Sequence, residues 1–146
     1  MTSVVARGSA VYAKVSHRRS MTTCSLKSGA ITRVRRCPDG QYKICFSPSS
    51  NPPLAIVASV DGEDAERTCL GLVTVGDVDD EEVRYELGEI PRFNLTVSVG
   101  KARRKKYDHV LVSAWRQPTV KTLEAALSRE ARPKRGKCDF IVQIIW

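Results

Sequence analysis

Apolar and polar residues alternate with a period of two along most of this chain, and turn-forming residues separate the alternating runs. Such alternation marks strands with one buried face. It predicts strands over residues 10–16, 30–36, 42–46, 54–60, 68–75, 82–87, 93–99, 109–115 and 138–145. Val, Ile, Thr and Tyr dominate these runs and suit a pleated, half-buried surface. Three connections are informative. Pro38, Asp39 and Gly40 suit a three-residue hairpin loop with a bulge. Residues 47–53 hold three prolines, which cannot donate to a ladder, so they form a loop. Residues 76–82 form an acidic turn or loop. One stretch breaks the alternation. Residues 119–132 place Val120, Leu123 and Leu127 on one stripe, with Pro118 at the start and Pro133 and Gly136 as stops. That spacing predicts a helix whose narrow stripe lies on a sheet.

These elements predict a mainly β fold: an antiparallel β-sandwich or partly open barrel of about eight or nine strands, with one α-helix before the last strand. No internal repeat or low-complexity linker divides the chain. Its 146 residues suit a single domain, residues 1–146, with a flexible N-terminal stretch at 1–9. The final run, residues 140–146, is apolar on both faces except for Gln143. It is expected to be either a central buried strand or one completed by a partner.

The first hairpin can be registered from its loop. Cys37 then faces Gln41, Arg36 faces Tyr42, Arg35 faces Lys43, Val34 faces Ile44 and Arg33 faces Cys45. Arg33, Arg35 and Lys43 share one face, while Val34, Ile44, Tyr42 and Phe46 share the other. Opposed like charges such as Arg35 and Lys43 destabilise a pair. Their presence points to an anionic partner over this face. The alternative is a solvated face whose charges salt screens within about 10 Å.

Charge sharpens that expectation. Residues 1–50 carry nine Lys/Arg against one acid, residues 51–100 three against eleven, and residues 101–146 twelve against four. The formal net charge of +8 thus hides a basic–acidic–basic order. With a pI near 9.5, the chain favours anionic partners: nucleic acid, an acidic membrane or an acidic protein. Lys101, Arg103, Arg104, Lys105 and Lys106 place five cations in six positions between two predicted strands. Such a tip can contact several phosphates without reading sequence. It is also compatible with a nuclear-localisation stretch or an anionic membrane surface. Two lesser clusters are His17-Arg18-Arg19 and residues 132–137, and Arg129 and Arg132 are expected to complement the helix dipole. Trp115 and Trp146 are expected in the core or an interface. No motif of a base-reading nucleic-acid module is present, so contact with the backbone is favoured.

Catalytic and metal chemistry is not indicated. A zinc site would have to draw on His17, Cys24, Cys37 and Cys45, which lack ligand spacing. Cys37 and Cys45 sit four strand positions from one another across the registered hairpin, roughly 13 Å, too far for a shared ion or a disulfide. Neither histidine accompanies a nucleophile pattern, Gly100-Lys101 is not a phosphate-binding loop, and the acids of 77–82 lack calcium-loop spacing. No enzyme activity, cofactor, metal or small-molecule substrate is expected. No signal peptide or apolar run of membrane-spanning length is apparent, and five widely spaced cysteines suggest reduced thiols in the cytoplasm or nucleus rather than secretion.

The expected function is non-enzymatic binding of anionic partners, foremost RNA through its backbone, by a protein that self-assembles as a homo-oligomer. The sites would be the tip Lys101, Arg103, Arg104, Lys105 and Lys106 and the face Arg33, Arg35 and Lys43. A compact β fold with surface cations is also the architecture of many small coat, matrix and suppressor proteins of RNA viruses, an analogy that extends the expected location to the virion. The alternative is an adaptor for proteins, or a protein of anionic membranes, acting through exposed strand edges.

Overall fold

The hairpin around Pro38-Asp39-Gly40 sets the frame. Gly40 adopts a φ of 92°, which a residue with a Cβ avoids, and its N–H donates to the Cys37 carbonyl at 2.9 Å. Asp39 Oδ1 accepts from the Gln41 N–H at 3.0 Å and closes the turn. The strands leaving it, β3 (Ile31–Arg36) and β4 (Tyr42–Ser49), pair with Arg36 opposite Tyr42, Arg35 opposite Lys43, Val34 opposite Ile44 and Arg33 opposite Cys45. This is the register expected from the loop.

The computed structural model describes residues 9–18, 21–76, 82–100, 104, 106–128 and 131–146, with side chains 25–27 left aside. Besides β3 and β4, the strands are β1 (Ala10–Arg18), β2 (Met21–Lys27), β5 (Ala55–Val60), β6 (Thr68–Val75), β7 (Arg84–Pro91), β8 (Phe93–Val99), β9 (Tyr107–Arg116), β10 (Lys134–Arg135) and β11 (Phe140–Ile145). All pair antiparallel. The first sheet has the order β2-β1-β11-β5. The second runs β3-β4-β9, with β8 on the other edge of β9 and the two-residue β10 beyond the end of β4. Strands β6 and β7 form a separate ribbon. The two larger sheets pack face to face as a sandwich and do not close into a barrel.

The core lies between inner faces drawn from alternate residues. Val11, Ala13 and Val15 meet Phe140, Val142 and Ile144 in the first sheet, and Tyr42, Ile44, Phe46, Val110, Val112 and Ala114 line the second. Rings cross the interface at both ends. Phe140 meets Tyr42 edge to face at 4.9 Å, and Trp146 meets Phe46 at 4.9 Å. The terminal run is therefore a central strand, completed on both edges by β1 and β5 of the same chain. Its outward residue Ile141 is exposed.

The expected helix is much shorter than its pattern. Among the described residues of that stretch only α2 (Leu123–Leu127) is helical, while a second single-turn helix, α1 (Gly62–Glu66), follows β5. Thr122 caps α2, its Oγ1 accepting from the Ala125 N–H at 3.1 Å. Ser128 ends it: its hydroxyl donates to the Ala125 carbonyl at 2.8 Å, and its backbone is extended with ψ 158°. Val120 is 8% exposed, but Leu123 and Leu127 are 39% and 61% exposed. With no residue buried, α2 lacks the packing that sustains helices beyond their intrinsic stability. Arg132 thus lies outside the helix and does not serve its dipole; Arg129 lies outside the described residues. Strand β2 was not expected, because its run of Thr, Cys and Ser offers little apolar alternation.

Phe140 is fully buried at the junction of the two sheets. Phe140→Ala is expected to cost about 3–5 kcal/mol, through lost burial and the remaining cavity. Urea unfolding would register this as a lower midpoint, and an unchanged midpoint would contradict the central placement of β11.

Candidate functional site

Pairing arranges the outward side chains of the second sheet in rows. Arg35 pairs with Lys43, Lys43 with Leu111, and Leu111 with Ser98. One row over, Arg33 pairs with Cys45 and Cys45 with His109. Toward the hairpin turn, Ser113 pairs with Thr96, and Gln41 Nε2 donates to Ser113 Oγ at 3.3 Å. The last row joins Arg135, Trp115 and Asn94. Since Val110, Val112 and Ala114 of β9 point into the core, their alternates His109, Leu111, Ser113 and Trp115 point outward.

Arg33 and Arg35 are exposed and Lys43 is half-buried. Among the described residues none of the three takes part in an ion pair. The sequences of β3, β4 and β8 contain no acid. The one acid on β9, Asp108, faces His109 Nδ1 at 2.6 Å. The acidic middle of the chain thus does not neutralise this face among the described residues. An ion pair with the basic first third, Lys14 Nζ to Asp61 Oδ2 at 3.4 Å, lies on the other sheet.

The row of Arg33 ends at the β8–β9 connection. The Gly100 N–H donates to the His109 carbonyl at 3.0 Å, and a Cβ at Gly100 would collide with the His109 imidazole. A side chain at position 100 would force that ring to move. Three strand spacings of about 4.8 Å set Arg33 about 14 Å from Gly100. Of the expected tip, Arg104 and Lys106 are exposed, and Arg104 has a φ of 62°. Lys101, Arg103 and Lys105 lie outside the described residues. The structure therefore brings Arg33, Arg35 and Lys43 onto one face, and that face runs into the connection carrying Arg104 and Lys106.

The two tryptophans part company. Trp146 is buried and its Nε1 donates to the Asn51 carbonyl at 3.2 Å. Trp115 stands half-buried on the cationic face, its Nε1 donating to Thr96 Oγ1 at 2.8 Å, with the Arg135 guanidinium 5.1 Å from its ring centroid. Period-two parity along β9 was the signal that could have placed Trp115 outside, opposite Val112 and Ala114.

A second constellation was not legible in the sequence. His17 of β1 and Tyr42 of β4 come from different sheets, and His17 Nε2 lies 2.7 Å from the Tyr42 hydroxyl. With that hydroxyl donating, His17 Nδ1–H donates to Asp139 Oδ1 at 3.2 Å. The His17 backbone N–H donates to the same oxygen at 2.9 Å, and the Asp139 N–H donates to Asp64 Oδ2 at 2.9 Å. The chain of bonds borders an open cleft of about 280 Å³ lined by His17, Glu63, Asp64, Arg67, Lys137 and Asp139. Burial, against a lowering by Arg36, pushes the Tyr42 hydroxyl up to about 12. Burial, then the charges of Asp64 and Asp139, pushes the Cys138 thiol up to about 12. Both groups stay neutral at ordinary pH, unlike activated nucleophiles. The arrangement is a polar clasp between sheets. No disulfide forms among the described residues, and among them no group of three or more His, Cys, Asp or Glu is arranged to hold a metal ion.

Comparison with protein-family models, curated proteins and solved structures gave no match.

The raised values carry a sign. In the unfolded chain Tyr42 and Cys138 ionise near their ordinary 10.0 and 9.0, while in the folded chain they hold their protons to about 12. Their contribution to stability is full below those ordinary values and is lost as pH rises toward about 12. Urea unfolding across that range should show falling stability, with a shallower fall in Cys138→Ala. Equal slopes would contradict the burial of the thiol.

Proposed function

We propose that this chain is a non-enzymatic binding protein for anionic polymers, foremost RNA, which it holds by the phosphate backbone. The observation that carries this is the outer face of the second sheet. Arg33, Arg35 and Lys43 lie together on it, outside any ion pair among the described residues. Direct opposition of Arg35 and Lys43 costs the sheet a few tenths of a kcal/mol or more. Bound phosphates would relieve that repulsion and add salt-dependent affinity. The connection bearing Arg104 and Lys106 extends the same surface. A membrane role has less support, because the exposed apolar residues of the first sheet are on the opposite side of the sandwich from these cations.

That opposite face supports self-association with a second copy. Tyr12, Gln143 and Val57 form one row across it, and Lys14, Ile141 and Ser59 the next. Tyr12, Val57 and Ile141 are 42%, 49% and 39% exposed. In these rows Lys14 is the one charge, and Asp61 is its ion-pair partner. On a chain of net charge +8, such a face lets two like-charged copies meet while both cationic faces stay outward.

Binding of a fluorescein-labelled oligouridine across about 50 to 200 mM salt tests the first proposal. Affinity should fall steeply, and replacing Arg33, Arg35 and Lys43 with Ser should weaken binding and flatten the log–log slope by about 2. Absence of binding at low salt would refute it. Sedimentation velocity tests the second. Association that persists at high salt and is abolished by Ile141→Glu is expected, whereas a monomer at every concentration would exclude this interface.

A further inference from the structure

We propose that Trp115 and Arg135 form a base-stacking platform, so that the nucleic acid taken by this face is single-stranded. This rests on the function proposed above and names its substrate class. Trp115 lies on the cationic face, and its indole is fixed before any ligand arrives. Thr96 Oγ1 accepts from its Nε1 at 2.8 Å, and Arg135 stands over the ring at 5.1 Å. Arg135 is itself anchored, its guanidinium donating to the Asp39 carbonyl at 2.9 Å beside a looser contact of 3.7 Å to Asp39 Oδ2. Gly40 keeps that guanidinium stem close: a Cβ there would press on Arg135 Cδ at 3.3 Å. The hairpin turn thus positions the platform.

The chemistry selects the ligand. Unstacked bases pack on aromatic rings and on guanidinium planes, and both planes are present here. A duplex buries its base faces and offers only phosphates and groove edges, so it gains nothing from the indole. Asn94, exposed in the same row, and Gln41, in the next, supply hydrogen-bonding groups beside the ring. Leu111, four residues along β9, places the row of Lys43 and Arg35 about 13 Å away. One extended strand can therefore lay a base on Trp115 and phosphates on Lys43, Arg35 and Arg33. Stacking is sequence-tolerant, which agrees with a chain that carries no base-reading motif.

The test compares wild type, Trp115→Phe, Trp115→Ala and the Arg33/Arg35/Lys43→Ser variant. Each is titrated with oligouridine and with a DNA duplex of equal length. Oligouridine should quench the tryptophan fluorescence of the wild type. Trp115→Phe, which keeps an aromatic ring in place and leaves Trp146 as the reporter, should lose that quenching. Trp115→Ala should bind oligouridine roughly tenfold more weakly or worse, with an unchanged salt slope and unchanged duplex affinity. Quenching that persists in Trp115→Phe would overturn the platform. So would oligouridine affinity as tight as wild type in Trp115→Ala while the Ser variant binds weakly, and in that case the phosphate-binding function stands. If wild type binds neither probe at low salt, the function falls and the platform with it.

Discussion

The first sheet depends on β11, the strand that follows all the others described. Phe140–Ile145 lies between β1 and β5 and completes the ladders of both. Its inner residues Phe140, Val142 and Ile144 are fully buried, and the ring of Phe140 meets Tyr42 of the facing sheet. Without β11, strand β5 would have no ladder partner in that sheet, and the hairpin of β1 and β2 would have nothing on its inner edge. Two strands alone are marginal in water. The pairing of Ala10 with Ile145 spans nearly the whole chain, so its closure entropy must be met before its contacts contribute.

With the core held this way, the two outer faces of the sandwich are free to differ. One carries Arg33, Arg35 and Lys43 on strands β3 and β4, which contain no acid. The other carries Tyr12, Val57 and Ile141, with Lys14 ion-paired to Asp61. Among the described residues, no acid of the middle third forms an ion pair with the cationic face. Asp61 and Asp64, from the acidic third, gather at the end of the sandwich near His17 and Asp139, where they pair with Lys14 and Arg67. They leave the cationic face alone.

What could be read from the chain was local and periodic. The β3–β4 register followed from Pro38-Asp39-Gly40 and alternation, because a hairpin of fixed loop length has one register and the side-chain period is two. Strand β2 has no clear sequence signal because its short polar residues supply little alternation, and it gains its place by pairing with β1 across a register shift at Lys14 and Val15. The helix is shorter than its pattern because a stripe of Val120, Leu123 and Leu127 has value only if something covers it. Here just Val120 is covered, and Ser128 competes for the backbone. Trp115 was legible in parity along β9. Arg135 beside it was not, since β10 is two residues long and reaches β9 only because the hairpin turn leaves that edge open.

By itself the sequence determined the fold class, the first hairpin's register and which cations lie on one of its faces. Those follow from backbone geometry and side-chain alternation, which act over a few residues. Tertiary structure alone decided that Phe140–Ile145 is central, that His17 meets Tyr42 and Asp139, and that Arg135 stands over Trp115. Each of these joins elements from different sheets or distant parts of the chain. Their geometry is set by how two sheets pack and which edges remain open, and no local pattern of residues encodes that.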